Sequence, residues 1–439
     1  MGVLTATEES LTRINSGSHP YYEEPVKRLT AAVLVSVSLA VPSSALDWPQ
    51  WRGVNRDGIS KETGLLKEWP KDGPPLRWER KDLGTGYSSP IVVNGIVYIQ
   101  TTKGNDEFTV ALDEKTGNEI WSTNIGKVGK NLGPQYPGTR ATPTFDNGKL
   151  YCLSSDGELN CLTATDGKQV WQISLRKQFD GKVGMWAYTE SVLIDGDALV
   201  CSPGGEKATL AKLKKETGET IWTCAVPGGD LADYASIMVA EGGGRKQYVQ
   251  YMRKNLVGVD AKTGEFLWKN SKTQDVGIGA SVLTPVVDGS RVFVSSQRTG
   301  GAAFDLKSEG TGVTANEAYF DKKLCPSLGG AVLLDGFLYG TNSNELFCAD
   351  FKTGKVMWSD RSVGSASLCV ADGMLYVRGY NQPGDIALVK PDSSGYKEIS
   401  RFKQPDKTKT QGWPHPVVSN GGFYVRDMDI LLCFDVKAK

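Results

Sequence analysis

The chain has 439 residues, with 50 Lys and Arg against 50 Asp and Glu, so its formal net charge is zero. That balance, with no long Lys/Arg run, excludes the clustered positive surface a nucleic-acid partner requires. The 51 glycines and 11 tryptophans are distributed too regularly to be incidental, and they decide how the chain is read.

The first 25 residues are polar. Lys27 and Arg28 then precede an apolar run over 29–41 and the small-residue segment Pro42, Ser43, Ser44 and Ala45. A basic start, an apolar stretch and a small-residue cleavage site make a secretory signal, and the run is too short to span a bilayer comfortably. The polar stretch ahead of it is long for a signal; we hypothesise a translation start near Val26, which finding Met1 on an uncleaved export intermediate would exclude. Cleavage near Ala45 leaves a chain expected to be soluble, monomeric and exported to the periplasm or beyond, without a transmembrane domain.

An irregular lead-in over 46–74 follows. The segment 75–80 around Trp78 has strand character but stands alone. Beyond it one pattern keeps returning: 110–121 (VALDEKTGNEIW), 159–171 (LNCLTATDGKQVW), 210–222, 257–268 and 347–358, each closing on a tryptophan. Self-similarity at a period of roughly 40–50 residues marks a propeller or solenoid. A second marker, Asn or Asp then Gly then a short apolar strand, precedes each instance. It stands at 94–98, 147–151, 195–199, 288–293, 335–339, 372–376 and 420–424, with a degenerate copy at 244–248. Each marker reads as a hairpin turn, and two hairpins in tandem make one four-stranded propeller blade.

The predicted fold is therefore all-β, an eight-bladed propeller of four-stranded antiparallel blades over 75–439. Blade 5 is expected to close with 317–320, with Tyr319 or Phe320 replacing tryptophan, and blade 7 with 399–402. The last blade lacks a fourth strand at the C-terminus, and the strand around Trp78 is expected to complete it and close the ring, removing two sheet edges. Trp78, Trp121, Trp171, Trp222, Trp268 and Trp358 read as packing groups between blades. Turn glycines supply positive φ, while Asp and Thr bond the turn backbone.

The eight cysteines form no Cys-x-x-Cys. If Asp156 and Gly157 are the two central residues of a hairpin, Cys152 and Cys161 face each other within disulfide reach; the alternative is two reduced cysteines buried in strands. The segments between blades are the longest and most varied: 126–140, 178–188, 227–234 and 403–415. They open on one face and carry Tyr136, Arg140, Trp186, Tyr188, Asp230, Asp233, Tyr234, Trp413 and His415, with Arg253, Lys254 and Arg298 expected to join from middle hairpins. Long loops on a rigid scaffold are where function concentrates. The ligand-face candidates are Arg140, Trp186, Tyr188, Tyr234, Arg253, Trp413 and His415. They can serve an apolar or carbohydrate-like ligand or a peptide, or they can simply plug the channel. His415 would need a carboxylate such as Asp230 or Asp233 to act as a base; otherwise it is structural. No Ser/His/Asp signature, metal-ligand cluster or phosphate loop is present.

The Asp-x-x-Thr-Gly-x-x-x-Trp repeat resembles that of the quinoprotein (PQQ-like) β-propeller superfamily from Trp78 to Val436, and 47–58 (DWPQWRGVNRDG) resembles the lead-in of its exported bacterial members. The resemblance implies either a PQQ-dependent alcohol dehydrogenase or a non-catalytic propeller like the outer-membrane assembly factor. The dehydrogenases resemble one another in an adjacent Cys-Cys pair, a calcium-binding carboxylate–amide set and, in some, a Cys-x-x-Cys-His haem site. None transfers onto positions here, where the histidines are His19 and His415. No catalytic residue, metal ligand or cofactor is thus assigned. The preferred reading is a non-catalytic binding or scaffold propeller serving an envelope protein or small ligand. The alternative is a diverged dehydrogenase using PQQ with calcium. An enzyme should concentrate carboxylate, Arg and Asn at the channel mouth, whereas a scaffold should have a plugged channel.

Overall fold

The hairpin turns set the architecture. Asn94 and Gly95 both have positive φ (52° and 78°), as do Asn147–Gly148, Asp335–Gly336, Asp372–Gly373 and Asn420–Gly421. This is the type I′ pattern whose twist matches paired strands. Where the second hairpin carries Asp-x-x-Thr-Gly, the Asp side chain organises the backbone. Asp113 Oδ1 accepts from the Thr116 amide and hydroxyl, both at 2.8 Å, and the Gly117 amide returns to the Asp113 carbonyl. Asp260 and Asp350 do the same for Thr263 and Thr353.

These turns produce eight four-stranded antiparallel sheets. In this computed structural model, which describes residues 46–439 apart from 131–137, 276–279, 327 and 382, blades 1 to 7 span 91–127, 144–174, 193–224, 238–270, 286–321, 331–360 and 366–403. Blade 8 holds 417–435 and takes Leu76–Arg80 as its outer strand, antiparallel to Ile430–Asp435. The protein is an eight-bladed β-propeller closed by its N-terminal strand. The signal expected within 1–45 lies outside the described residues. No described helix is long and apolar enough to cross a membrane.

First strands are short and buried, as Ile91–Val93 shows; fourth strands such as Glu119–Lys127 are largely exposed. Each blade therefore buries its first strand near the channel and sets its fourth at the rim. The tryptophan of the fourth strand sits at a register shift: Trp121 faces Ala111, and Trp358 faces Cys348. Its ring then reaches the turn glycine of the next blade. A Cβ on Gly117, Gly167, Gly218 or Gly264 would meet the ring of Trp78, Trp121, Trp171 or Trp222 at 2.6–3.0 Å. The indole N–H of Trp78, Trp121 and Trp171 donates to Glu114, Ala164 and Lys215 carbonyls in those turns. Tyr319 of blade 5 takes the same place against Gly354. Trp268 departs from the pattern and donates to Gln247 Oε1 in its own blade. The reason lies next door: blade 5 has no Asp-x-x-Thr-Gly turn but a long hairpin, Gly300–Glu309 with Gly312–Asp321.

Cys152 and Cys161 do not face each other. Cys152 pairs with Asn160 and Tyr151 with Cys161, because the turn is wider than two residues: the Ser154 amide bonds the Glu158 carbonyl. A register change of one residue sends the two thiols to opposite faces of the sheet. Both are free and buried.

Two buried arginines stitch the last seams. Arg426, wholly inaccessible, donates to the Ser88, Gln100 and Met428 carbonyls across the blade 8–blade 1 junction. Arg378 donates to Gln404 Oε1 and the Gly412 carbonyl between blades 7 and 8. Carbonyl-rich loop ends need such a multi-donor group when water is excluded.

Candidate functional site

The lead-in builds the floor of the site. Trp48 bridges Val92 of blade 1, and the Pro49 carbonyl accepts from Phe145 of blade 2. Arg56 donates to the Ser191 and Val192 carbonyls of the approach to blade 3. Trp51 Nε1 donates to Thr284 Oγ1 before blade 5, and Arg52 to the Ala331 carbonyl of blade 6. Ser60 and Gly58 bond Val370 of blade 7, and Leu66 bonds Val436. One extended segment thus touches inner strands and inter-blade loops around the ring, plugging the channel.

Above this plug lies a cavity of about 350 Å³, walled by the segments between blades. Its lining includes Trp51 and Arg52 from the lead-in, then Tyr87, Arg140, Trp186, Thr189, Tyr234, Asp275, Thr284, Trp413 and His415. The aromatic rings come in contacting pairs: Trp186 with Tyr234 (5.4 Å, 58°), Tyr87 with Trp413 (4.8 Å, 36°) and Trp51 with His415 (4.6 Å, 61°). Arg140 lies 5.7 Å from the Tyr87 ring centre and donates weakly to the Gly138 and Trp186 carbonyls. Five of the sequence candidates therefore converge: Arg140, Trp186, Tyr234, Trp413 and His415.

Tyr188 does not reach the cavity. It packs against Gly157, its hydroxyl donates to the Pro203 carbonyl, and Arg176 covers its ring. Arg253 is turned aside too, with Nη1 3.7 Å from buried Asp233 Oδ1. Lys254 and Arg298 are likewise absent from the lining. Tyr136 lies outside the described residues. Trp51, Arg52, Tyr87 and Asp275 were not singled out; only the unusual 47–58 segment hinted at the first two.

His415 is held as a neutral ring. Burial, with the Arg52 cation beside it, pushes its pKa down to about 3, and Nε2 lies 3.2 Å from the Leu328 carbonyl. Neither acid suggested as its partner serves it. Asp230 accepts from the Leu231 and Lys254 amides and from Asn255, fastening the 227–234 loop to blade 4. Asp233 accepts from the Ser281 amide, and burial raises its pKa to about 7. Arg52 is desolvated to about 10 while donating to two carbonyls.

Fold and site together define a PQQ-like propeller whose channel is filled by its own lead-in. Residues 105–360 match the family described as outer membrane protein assembly factor BamB, and the chain belongs to that family. It is 23% identical over 373 residues to the outer membrane protein assembly factor BamB of Yersinia pestis, covering 80% of this chain and 87% of that protein. It is also 23% identical to a tetrathionate hydrolase of Acidithiobacillus ferrooxidans, covering 75% and 80%. In structure it resembles the quinohemoprotein alcohol dehydrogenase from Comamonas testosteroni, with a TM-score of 0.61 and 14% identity over 91% of this chain and 82% of that one. At such identity the likeness speaks for fold alone.

The cavity does not suit PQQ held by calcium. Calcium takes six to eight oxygen ligands, whereas Asp275 is the one carboxylate in the described lining, and no cluster of three metal-ligating side chains occurs among the described residues. The ring pairs are tilted and in mutual contact, so none forms a parallel slot for a flat tricycle.

Proposed function

We propose that this chain is an exported, non-catalytic binding propeller that presents its inter-blade loop face to a protein or ligand in the cell envelope. The observation that carries the reading is the chemistry of the cavity. His415 stays neutral down to about pH 3 and meets a backbone carbonyl instead of a carboxylate. A general base works best with a pKa near the operating pH and a partner to orient it. Arg52 turns Nη2 to the backbone carbonyls of Asp57 and Ala331. What remains is an aromatic cup on a rigid ring, which suits recognition. Membership of the assembly-factor family and the signal-like segment at 27–45 support the envelope location.

The test is a titration of the purified chain with PQQ and calcium, followed by tryptophan fluorescence. Trp51, Trp186 and Trp413 line the cavity, so an occupant changes their emission. No saturable change is expected. Saturable one-to-one binding at micromolar level would refute the non-catalytic reading and lead to alcohol-oxidation assays.

A further inference from the structure

We infer that the loop-face cavity receives one neutral pyranose ring, either a free sugar or the exposed end of a glycan; this rests on the binding reading above. The first ground is the wall's hydrogen-bond inventory. Asp275 lines the cavity, yet Oδ1 is buried without a hydrogen-bond partner. Trp186 Nε1 and Thr189 Oγ1, from the segment between blades 2 and 3, are equally unpartnered. A carboxylate only accepts and an indole only donates, and buried polar atoms without partners are costly. A sugar hydroxyl both donates and accepts, so neighbouring hydroxyls on one ring can complete both walls after a small side-chain adjustment.

Charged ligands complete only half of this set. An ammonium would serve Asp275 but meet the guanidinium groups of Arg52 and Arg140, both in the lining. A carboxylate or phosphate would serve the donors and oppose Asp275. A phenylalanine side chain would fill the cup and leave Asp275 unpaired, and a tyrosine brings a single hydroxyl for both walls.

Shape is the second ground. The pairs Trp186–Tyr234 and Tyr87–Trp413 are inclined by 58° and 36°, making a cup instead of a parallel slot. A puckered ring with apolar C–H faces and polar edges fits such a cup better than a flat heteroaromatic does. The volume of about 350 Å³ lies at the small end of the usual ~300–1,000 Å³ for ligand pockets, which suits a single ring.

The experiment titrates the full chain with methyl glycosides of glucose, galactose, mannose and N-acetylglucosamine. It reads tryptophan fluorescence and saturation-transfer NMR, and a glycan array separates free sugars from glycan ends. Binding is expected to weaken about tenfold or more in Asp275→Asn, because hydrogen bonds to a charged acceptor are the stronger kind. Trp186→Phe, which keeps a ring but loses the N–H, should weaken it several-fold. Circular dichroism confirms that both variants fold. Sugar binding indifferent to Asp275→Asn overturns the assignment. If every glycoside and glycan fails while Phe- or Tyr-bearing peptides bind, the sugar inference falls and the binding reading stands. If glycosides and peptides both fail, or PQQ binds instead, both fall.

Discussion

Gly167→Ala and Gly148→Ala form a matched pair within blade 2. Both positions have left-handed φ, +69° and +75°, and a Cβ there costs about 1–2 kcal/mol in either case. At Gly148 the added carbon meets nothing within 4 Å. At Gly167 it would lie 2.4 Å from Thr123 Oγ1 and 2.6 Å from Trp121 Cε3. The indole cannot retreat freely, because its N–H is bonded to the Ala164 carbonyl at 3.1 Å. Overpacking of this kind costs a further 1–3 kcal/mol or so. Gly167→Ala should therefore destabilise by about 2–5 kcal/mol and Gly148→Ala by about 1–2 kcal/mol. Urea unfolding followed by circular dichroism measures both, with the m-value checked for constancy. In a Trp121→Ala background the part of the excess due to the ring should disappear while the Thr123 contact stays, giving a coupling of about 1–2 kcal/mol in a double-mutant cycle. Equal losses at the two glycines, or no coupling to Trp121, would refute the account of tryptophan docking between blades.

Three further outcomes can be checked. Trp78→Phe strands the buried Glu114 carbonyl that its indole now serves at 2.8 Å, so it should cost about 1–3 kcal/mol more than Trp222→Phe, whose N–H has no partner; urea midpoints decide. Burial raises the Glu190 carboxyl to about 8. Its folded pKa thus lies above the unfolded one, and the stability it contributes is fully present below the unfolded pKa and lost as pH rises through 8. His415, at about 3 in the fold, acts oppositely and only below its unfolded value of 6.5. Between pH 6.5 and 8.5 the wild-type midpoint should therefore fall more steeply than that of Glu190→Gln; equal slopes would contradict the assignment. Finally, a non-reducing peptide map should show no Cys152–Cys161 linkage, since the register separates the two thiols.

Local chemistry made the propeller readable. Asn94–Gly95 and Asp113 to Gly117 encode their turns within a few residues, and Trp121 follows at a fixed spacing, so strand order and blade number emerge without any long-range contact. The Cys152–Cys161 pairing failed for a reason equally local. Asp156–Gly157 looks like a two-residue turn, but Ser154 bonds Glu158 instead, and strand alternation turns one residue of slip into opposite faces. In the site, Arg140, Trp186, Tyr234, Trp413 and His415 were accessible to reasoning because long inter-blade segments must converge on one face. Tyr188 and Arg253 share those segments or that face but turn into loop packing, which sequence position does not specify. Trp51 and Arg52 were hidden because their place depends on how an irregular segment threads the channel. Asp275 sits in no motif at all.

Closure by Leu76–Arg80 has a consequence for how the chain acquires its structure. Leu76 pairs with Phe434, so the earliest strand to leave a ribosome must wait for almost the last. The lead-in waits as well, since Leu66 bonds Val436 and Glu62 bonds Gly421. Contacts between sequence-distant segments carry a loop-closure cost before they repay it, and they slow folding. Seven blades can form from neighbouring hairpins in order, but the eighth blade and the channel floor come last and together. A chain interrupted before its final strands would hold open the seam, so the ring closes only once residues 430–435 are in place to pair with 76–80.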